Sequence, residues 1–169
     1  MHRRVIEVAI LLFLTGITFG QVKLNLPDTT AAPGSSLLLP IFAEGFKSVG
    51  SLSLTIAFDK NVLTFNGVRN QPKFGYFNAT AAASANIKGS VSLSWFNVSP
   101  ALTIRSGKLL DLDFTYKNGM SPLTFEKKVP SSVTDSLANN LKASFRNGKV
   151  SPLKKLPAAR SVKSSSGLK

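Results

Sequence analysis

The chain has 169 residues, a formal net charge of +13, a single histidine and no cysteine. That length can bury the core of one domain. The composition excludes disulfides and cysteine nucleophiles. With His2 as the only imidazole, it also leaves no Ser-His-Asp triad and no zinc site of Cys and His ligands in the body of the chain.

The basic start Met1-His2-Arg3-Arg4 leads into an apolar run, Val8–Phe19, and small residues precede Gln21. Residues 1–20 read as a secretory signal peptide, with an uncleaved anchor as the alternative, since Glu7 interrupts the pattern. The run is short for a membrane span. Without this segment the chain keeps 19 basic and 7 acidic residues, a net charge of +12, and no histidine.

From Gln21 onward alternation dominates and helical periodicity is nearly absent. Val22, Leu24 and Leu26 share one face. After the Pro33-Gly34 turn come Leu37, Leu39 and Ile41, with Pro40 on the opposite face, as suits an edge or a bulge. Leu52, Leu54, Ile56 and Phe58 point inward, and Ser51, Ser53, Thr55 and Ala57 outward. Asp59 then interrupts the pattern before Val62 and Leu63. Asp59 could be a catalytic carboxylate or a turn residue whose side chain accepts from backbone N–H groups just beyond it. With no histidine or second carboxylate nearby in sequence, the turn reading is preferred. Val91, Leu93 and Trp95 face inward, and Ser92, Ser94 and Phe96 outward. A one-residue slip would exchange Trp95 and Phe96.

Leu110, Leu112, Phe114 and Tyr116 alternate with Asp111, Asp113 and Thr115, which places the two acids on a solvent face about 7 Å apart. That spacing lies within the range of glycosidase carboxylates, but the pair sits on a strand rather than at a cleft rim, so no catalytic residue is assigned. No Asp-x-Asp-x-Asp-Gly loop supports a metal site. Leu123 and Phe125, then Leu141, Ala143 and Phe145, complete eight or nine short strands. The fold expected is an all-β antiparallel two-sheet sandwich over residues 21–150. Residues 151–169 read as a basic flexible tail, with Lys154, Lys155, Arg160, Lys163 and Lys169 and no acid.

Phe96 is an exposed aromatic among small polar residues and a candidate anchor for a partner. Phe74, Tyr76 and Phe77 are either loop residues capping the core or a row that stacks on sugar rings. The basic residues are scattered, with no basic helix and no stacking platform, which argues against nucleic acid. An anionic surface polymer could engage the tail.

Four stretches taken in order resemble the cohesin module of cellulosomal scaffoldins. They are "APGSSLLLPIFAEG" (Ala32–Gly45), "SLSLTIAFDKNVLTFNGV" (Ser51–Val68), "SGKLLDLDFTYK" (Ser106–Lys117) and "SSVTDSLANNLKASFRNGKV" (Ser131–Val150). Departures from the family pattern are Ser35 for Asp after Pro-Gly, Phe58 and Lys60 around Asp59, and the missing glycine of Asp-x-x-Gly after Asp135. The resemblance implies a jelly-roll of about nine strands, no catalysis and no cofactor. It implies an extracellular role in polysaccharide degradation, docking a dockerin-type module that carries calcium. It further implies a flat binding face that includes Ser51, Ser53 and Thr55, joined by Ser92, Ser94 and Phe96. Ser51 and Ser53 stand where well-studied members project Asn and Asp. Direct carbohydrate binding and a basic envelope-associated structural role are the alternatives.

Overall fold

The computed structural model describes residues 21–83, 88–97, 99–127 and 131–154. Residues 1–20, read as a signal peptide, and most of the segment read as a tail, residues 155–169, lie outside the described residues. The elements are β1 (Val22–Asn25), β2 (Asp28–Ala31), β3 (Ser36–Asp59), β4 (Leu63–Arg69), β5 (Tyr76–Ala83), β6 (Lys88–Phe96), β7 (Leu102–Tyr116), β8 (Ser121–Phe125), β9 (Ser132–Asp135), β10 (Ala143–Arg146) and β11 (Gly148–Pro152). Among the described residues there is no helix.

β3 organises the rest. The two strands expected at Leu37–Ile41 and Ser51–Phe58 are one continuous element of 24 residues. Its first half pairs with β7 and β1, and its second half with β6, β8 and β9. Register shifts at Ile41/Phe42 and between Phe46 and Val49 bend it between these two sets of neighbours. Pro40 therefore lies beside a bulge, and it faces Asp111 of β7 in the register. One layer is β4-β7-β3-β1-β10, the other β5-β6-β3 continued by β8 and β9. β11 pairs with β8 and runs parallel to β2, so Ser151 and Pro152 belong to a strand rather than to a flexible tail.

The core forms where the inward residues of the layers meet. Leu39, Ile41, Leu110, Leu112 and Phe114 come from one side, and Leu52, Leu54, Ile56, Leu93 and Trp95 from the other, all buried. Phe58 meets Phe114 edge-on, with centroids 5.1 Å apart. Apolar residues at every second position give each strand one such face.

Asp59 ends β3. Its carboxylate accepts from the Asn61 N–H at 2.8 Å and its carbonyl from the Val62 N–H at 3.0 Å. Val62 and Leu63 then return to the core, and β4 pairs with β7 in the other layer. The turn thus passes the chain from one layer to the other.

Two expectations about outward faces are corrected. Asp111 and Asp113 are buried rather than on a solvent face. β7 lies between β3 and β4, and side chains from β4 and its exit close over the acids. Asp113 accepts from Asn66 Nδ2 at 3.2 Å and Arg69 Nε at 3.1 Å. Asp111 accepts from Asn70 Nδ2 at 2.6 Å and Lys108 Nζ at 2.7 Å. The Asn66 hydrogen bond, followed by that of Arg69, holds the Asp113 carboxyl below the usual range. Thr55 and Ala57, also expected to face solvent, are buried. At the centre of its layer, Thr55 shares a 3.2 Å hydrogen bond with Ser92, and its backbone contacts Ser131 Oγ and the Glu126 N–H.

Candidate functional site

The outward positions of β5, β6, β3 and β9 align in rows because the registers are unbroken over most of their length. The first row is Thr134, Ser51, Phe96 and Tyr76. The second is Ser132, Ser53, Ser94 and Asn78. The third is Thr55, Ser92 and Thr80. The fourth adds Thr124 of β8 to Ala57, Ser90 and Ala82. Four strands at the usual spacing make a surface about 14 Å across.

None of these positions carries a charge. Lys88 and Asp59, opposite each other in the register, close the far end. In a chain of net charge +13, this face is a neutral area of hydroxyls, amide and methyl groups. Ser51 shares a 2.7 Å hydrogen bond with Thr134, and Thr55 is committed to Ser92. The second row is the most available: Ser132, Ser53, Ser94 and Asn78 are all exposed. A partner that covers such groups must offer hydrogen bonds in exchange.

Phe96 is 52% exposed and Tyr76 60% exposed, and their rings pack against each other with centroids 5.3 Å apart. This pair anchors one end of the face. Trp95 lies in the core at 1% exposure, as the alternation of β6 requires. Its Nε1 donates to the Phe74 carbonyl at 2.9 Å, and the Phe74 ring meets it edge-on at 5.8 Å. Gly75 permits this closeness: its φ is +79°, and a Cβ there would come within 2.7 Å of Trp95 Nε1 and of the Phe96 carbonyl oxygen. Phe74, Tyr76 and Phe77 therefore share no common face. Phe74 covers Trp95, Phe77 packs against the core, and Tyr76 points outward.

The sequence placed Ser51, Ser53, Thr55, Ser92, Ser94 and Phe96 on one face, and the structure brings them into its rows, with Thr55 buried and bonded to Ser92 rather than available. It missed Tyr76, Asn78, Ser132 and Thr134 as members. β5 has weak strand propensity, with four alanines and one asparagine among residues 78–83 obscuring alternation. β9 has only four residues. The recoverable signal was the spacing Tyr76, Asn78, Thr80. Among the described residues no group of three or more His, Cys, Asp or Glu side chains could hold a metal ion.

At the edge of the face, Asp135 Oδ1 accepts from the Leu137 and Asn139 N–H groups, each at 2.9 Å, and its Oδ2 from Asn139 Nδ2 at 3.0 Å. These bonds, that of the Asn139 side chain foremost, hold the carboxyl below its usual range. Ala138 stands where Asp-x-x-Gly carries its glycine, with φ +63°, a left-handed conformation unfavourable for alanine.

Comparison with known proteins agrees with this architecture. The sixth cohesin of scaffoldin B from Acetivibrio cellulolyticus, solved in complex with Cel5 dockerin, superposes with a TM-score of 0.66 at 17% identity, covering 79% of this chain and 100% of that one. A non-cellulosomal cohesin from the hyperthermophilic archaeon Archaeoglobus fulgidus gives a TM-score of 0.65 at 18% identity, with 80% and 93% covered. CaCohA2 from Clostridium acetobutylicum gives 0.63 at 21%, with 78% and 90% covered. At these identities the likeness establishes the fold, an all-β jelly-roll sandwich. No curated protein matches the chain. The sequence pattern of the cohesin domain matches residues 22–151, nearly all of the β-sandwich, and the chain belongs to the cohesin domain family.

Proposed function

We propose that this protein is a secreted, non-catalytic receptor module that docks a dockerin-type partner on the face formed by β5, β6, β3 and β9. The observation that carries this reading is the uncharged outer surface with Ser53 and Ser94 at its centre and the Tyr76–Phe96 pair at its end. Family membership and the dockerin complexes formed by proteins of the same fold support it. The partner would be a calcium-loaded module borne by an enzyme of extracellular polysaccharide degradation. Ser51 and Ser53 replace the larger polar side chains that the family resemblance leads one to expect, so recognition here rests on close approach and on hydroxyl pairing. A large side chain placed at Ser53 would hold the partner off the whole second row.

Capture from the host's secreted proteins, with and without EDTA, tests this reading. Calcium-dependent retention of a protein bearing paired calcium loops, lost with Ser53→Arg, is the expected result. Retention indifferent to both EDTA and Ser53→Arg would contradict it.

A second reading is favoured by one observation. The exposed Tyr76–Phe96 rings lie beside an exposed row of hydroxyl and amide groups, the chemistry that meets a neutral sugar chain. Under that reading, Tyr76→Ala would abolish retention on an insoluble polysaccharide and EDTA would not.

A further inference from the structure

β5 hydrogen-bonds to β6 along its whole length, and among the described residues no strand pairs with its other side. A bare strand edge is a template for an incoming strand, and proteins blunt such edges with short length, charge, proline or bulges. The other edges of this fold are blunted in those ways. β2 has four residues and carries Asp28; β10 has four and carries Arg146; β9 has four. β4 has a register shift between Phe65 and Gly67 and ends in Arg69. β5 has eight residues, no charge, no proline and an unbroken register.

The sequence of this edge also complements itself. Its aromatics, Tyr76 and Phe77, lie at one end, and Ala81 and Ala82 at the other. Antiparallel pairing about a two-fold axis at Ala79 sets Tyr76 opposite Ala82 of a second copy, Phe77 opposite Ala81 and Asn78 opposite Thr80. Each large side chain then meets a small one. Outward residues also stay with outward ones, as the pleat requires. No like charges meet, although the chain as a whole is strongly basic. On the core-facing side, Phe77 and Ala79 are half-buried and Ala81 is exposed, an apolar margin that a second strand would cover.

We propose that β5 is a self-association edge, joining two copies of this chain through a two-fold antiparallel β5–β5 pairing centred on Ala79. The β9-β3-β6-β5 order of each copy then continues into the other, and the two neutral faces lie on the same side of one extended sheet. Such a dimer is a bivalent receptor, able to hold a partner that carries two modules more tightly than either face alone.

Sedimentation of the full chain over a wide concentration series, together with thiol cross-linking, tests the proposal. The wild type is expected to pass from monomer to dimer as concentration rises. Ala81→Lys, at an exposed position, is expected to stay monomeric throughout with an unchanged thermal melt. Because the chain has no cysteine, Ala79→Cys introduces a sole thiol on the axis, expected to give a covalent dimer on mild oxidation. Ala82→Cys should not. A wild type that is monomeric at every concentration would overturn the proposal. So would an Ala81→Lys variant that associates like the wild type, or cross-linking through Cys at 82 as readily as at 79.

Discussion

At the scale of single residues, the polar groups that matter most serve geometry. Asp59 stands inside an apolar pattern because the chain must change layers there, and its carboxylate satisfies the Asn61 N–H. Asp59→Ala should cost about 1 kcal/mol, read as a lower denaturant midpoint with an unchanged slope. Ala138 makes the opposite point. Its φ of +63° suits glycine, so Ala138→Gly should stabilise the fold by about 1 kcal/mol, measured by the same titration. Asp113 and Asp135 are held below the usual carboxylate range by the hydrogen bonds of Asn66 and Asn139. Their folded pKa values are depressed, so their contribution to stability is present above the unfolded carboxylate pKa and is lost as pH falls through the folded one. Stability should thus be flat from about pH 7 to 5 and decline below about 4. Asp135→Asn should flatten part of that acid limb in denaturant titrations across pH. The turn role of Asp59 was legible because it needs only local bonds. The burial of Asp111 and Asp113 was not, because Asn66, Arg69 and Asn70 reach them from more than forty positions away.

At the scale of elements, alternation located the inward faces of β1, β3, β6 and β7, since apolar residues at every second position have one buried solution. It fixed the register of β6, with Trp95 inside and Phe96 outside. It could not show that β3 is one strand. The alternation stops after Ile41 and resumes at Leu52, yet the register shift between Phe46 and Val49 keeps the element continuous while it bends. Nor could it assemble the proposed binding face, because Tyr76 meets Phe96 only through the pairing of β5 with β6. Gly75 is the local hinge of this arrangement. Gly75→Ala should destabilise the domain by more than 1 kcal/mol, through a strained positive φ and a clash with Trp95 and Phe96. The change should appear as a lower melting temperature together with altered tryptophan fluorescence.

At the scale of the whole molecule, the proposed docking divides the work of association between the excess of basic residues and the neutral face. Net charge acts at long range and the face at contact. For a partner of opposite net charge, raising salt should slow association while leaving dissociation nearly unchanged, as resolved by surface-binding kinetics. Leu38, which is 51% exposed, lies on the other layer's outer face and provides the control. The measurement that tests the central claim most directly is calorimetric titration of a calcium-loaded, dockerin-bearing partner from the same host into the wild type, Ser53→Arg, Phe96→Ala and Leu38→Arg. Binding at wild-type affinity is predicted for Leu38→Arg, a loss of roughly tenfold or more for Phe96→Ala, and no detectable binding for Ser53→Arg. Binding that survives Ser53→Arg and Phe96→Ala but falls with Leu38→Arg would place the interface on the opposite face and contradict the account.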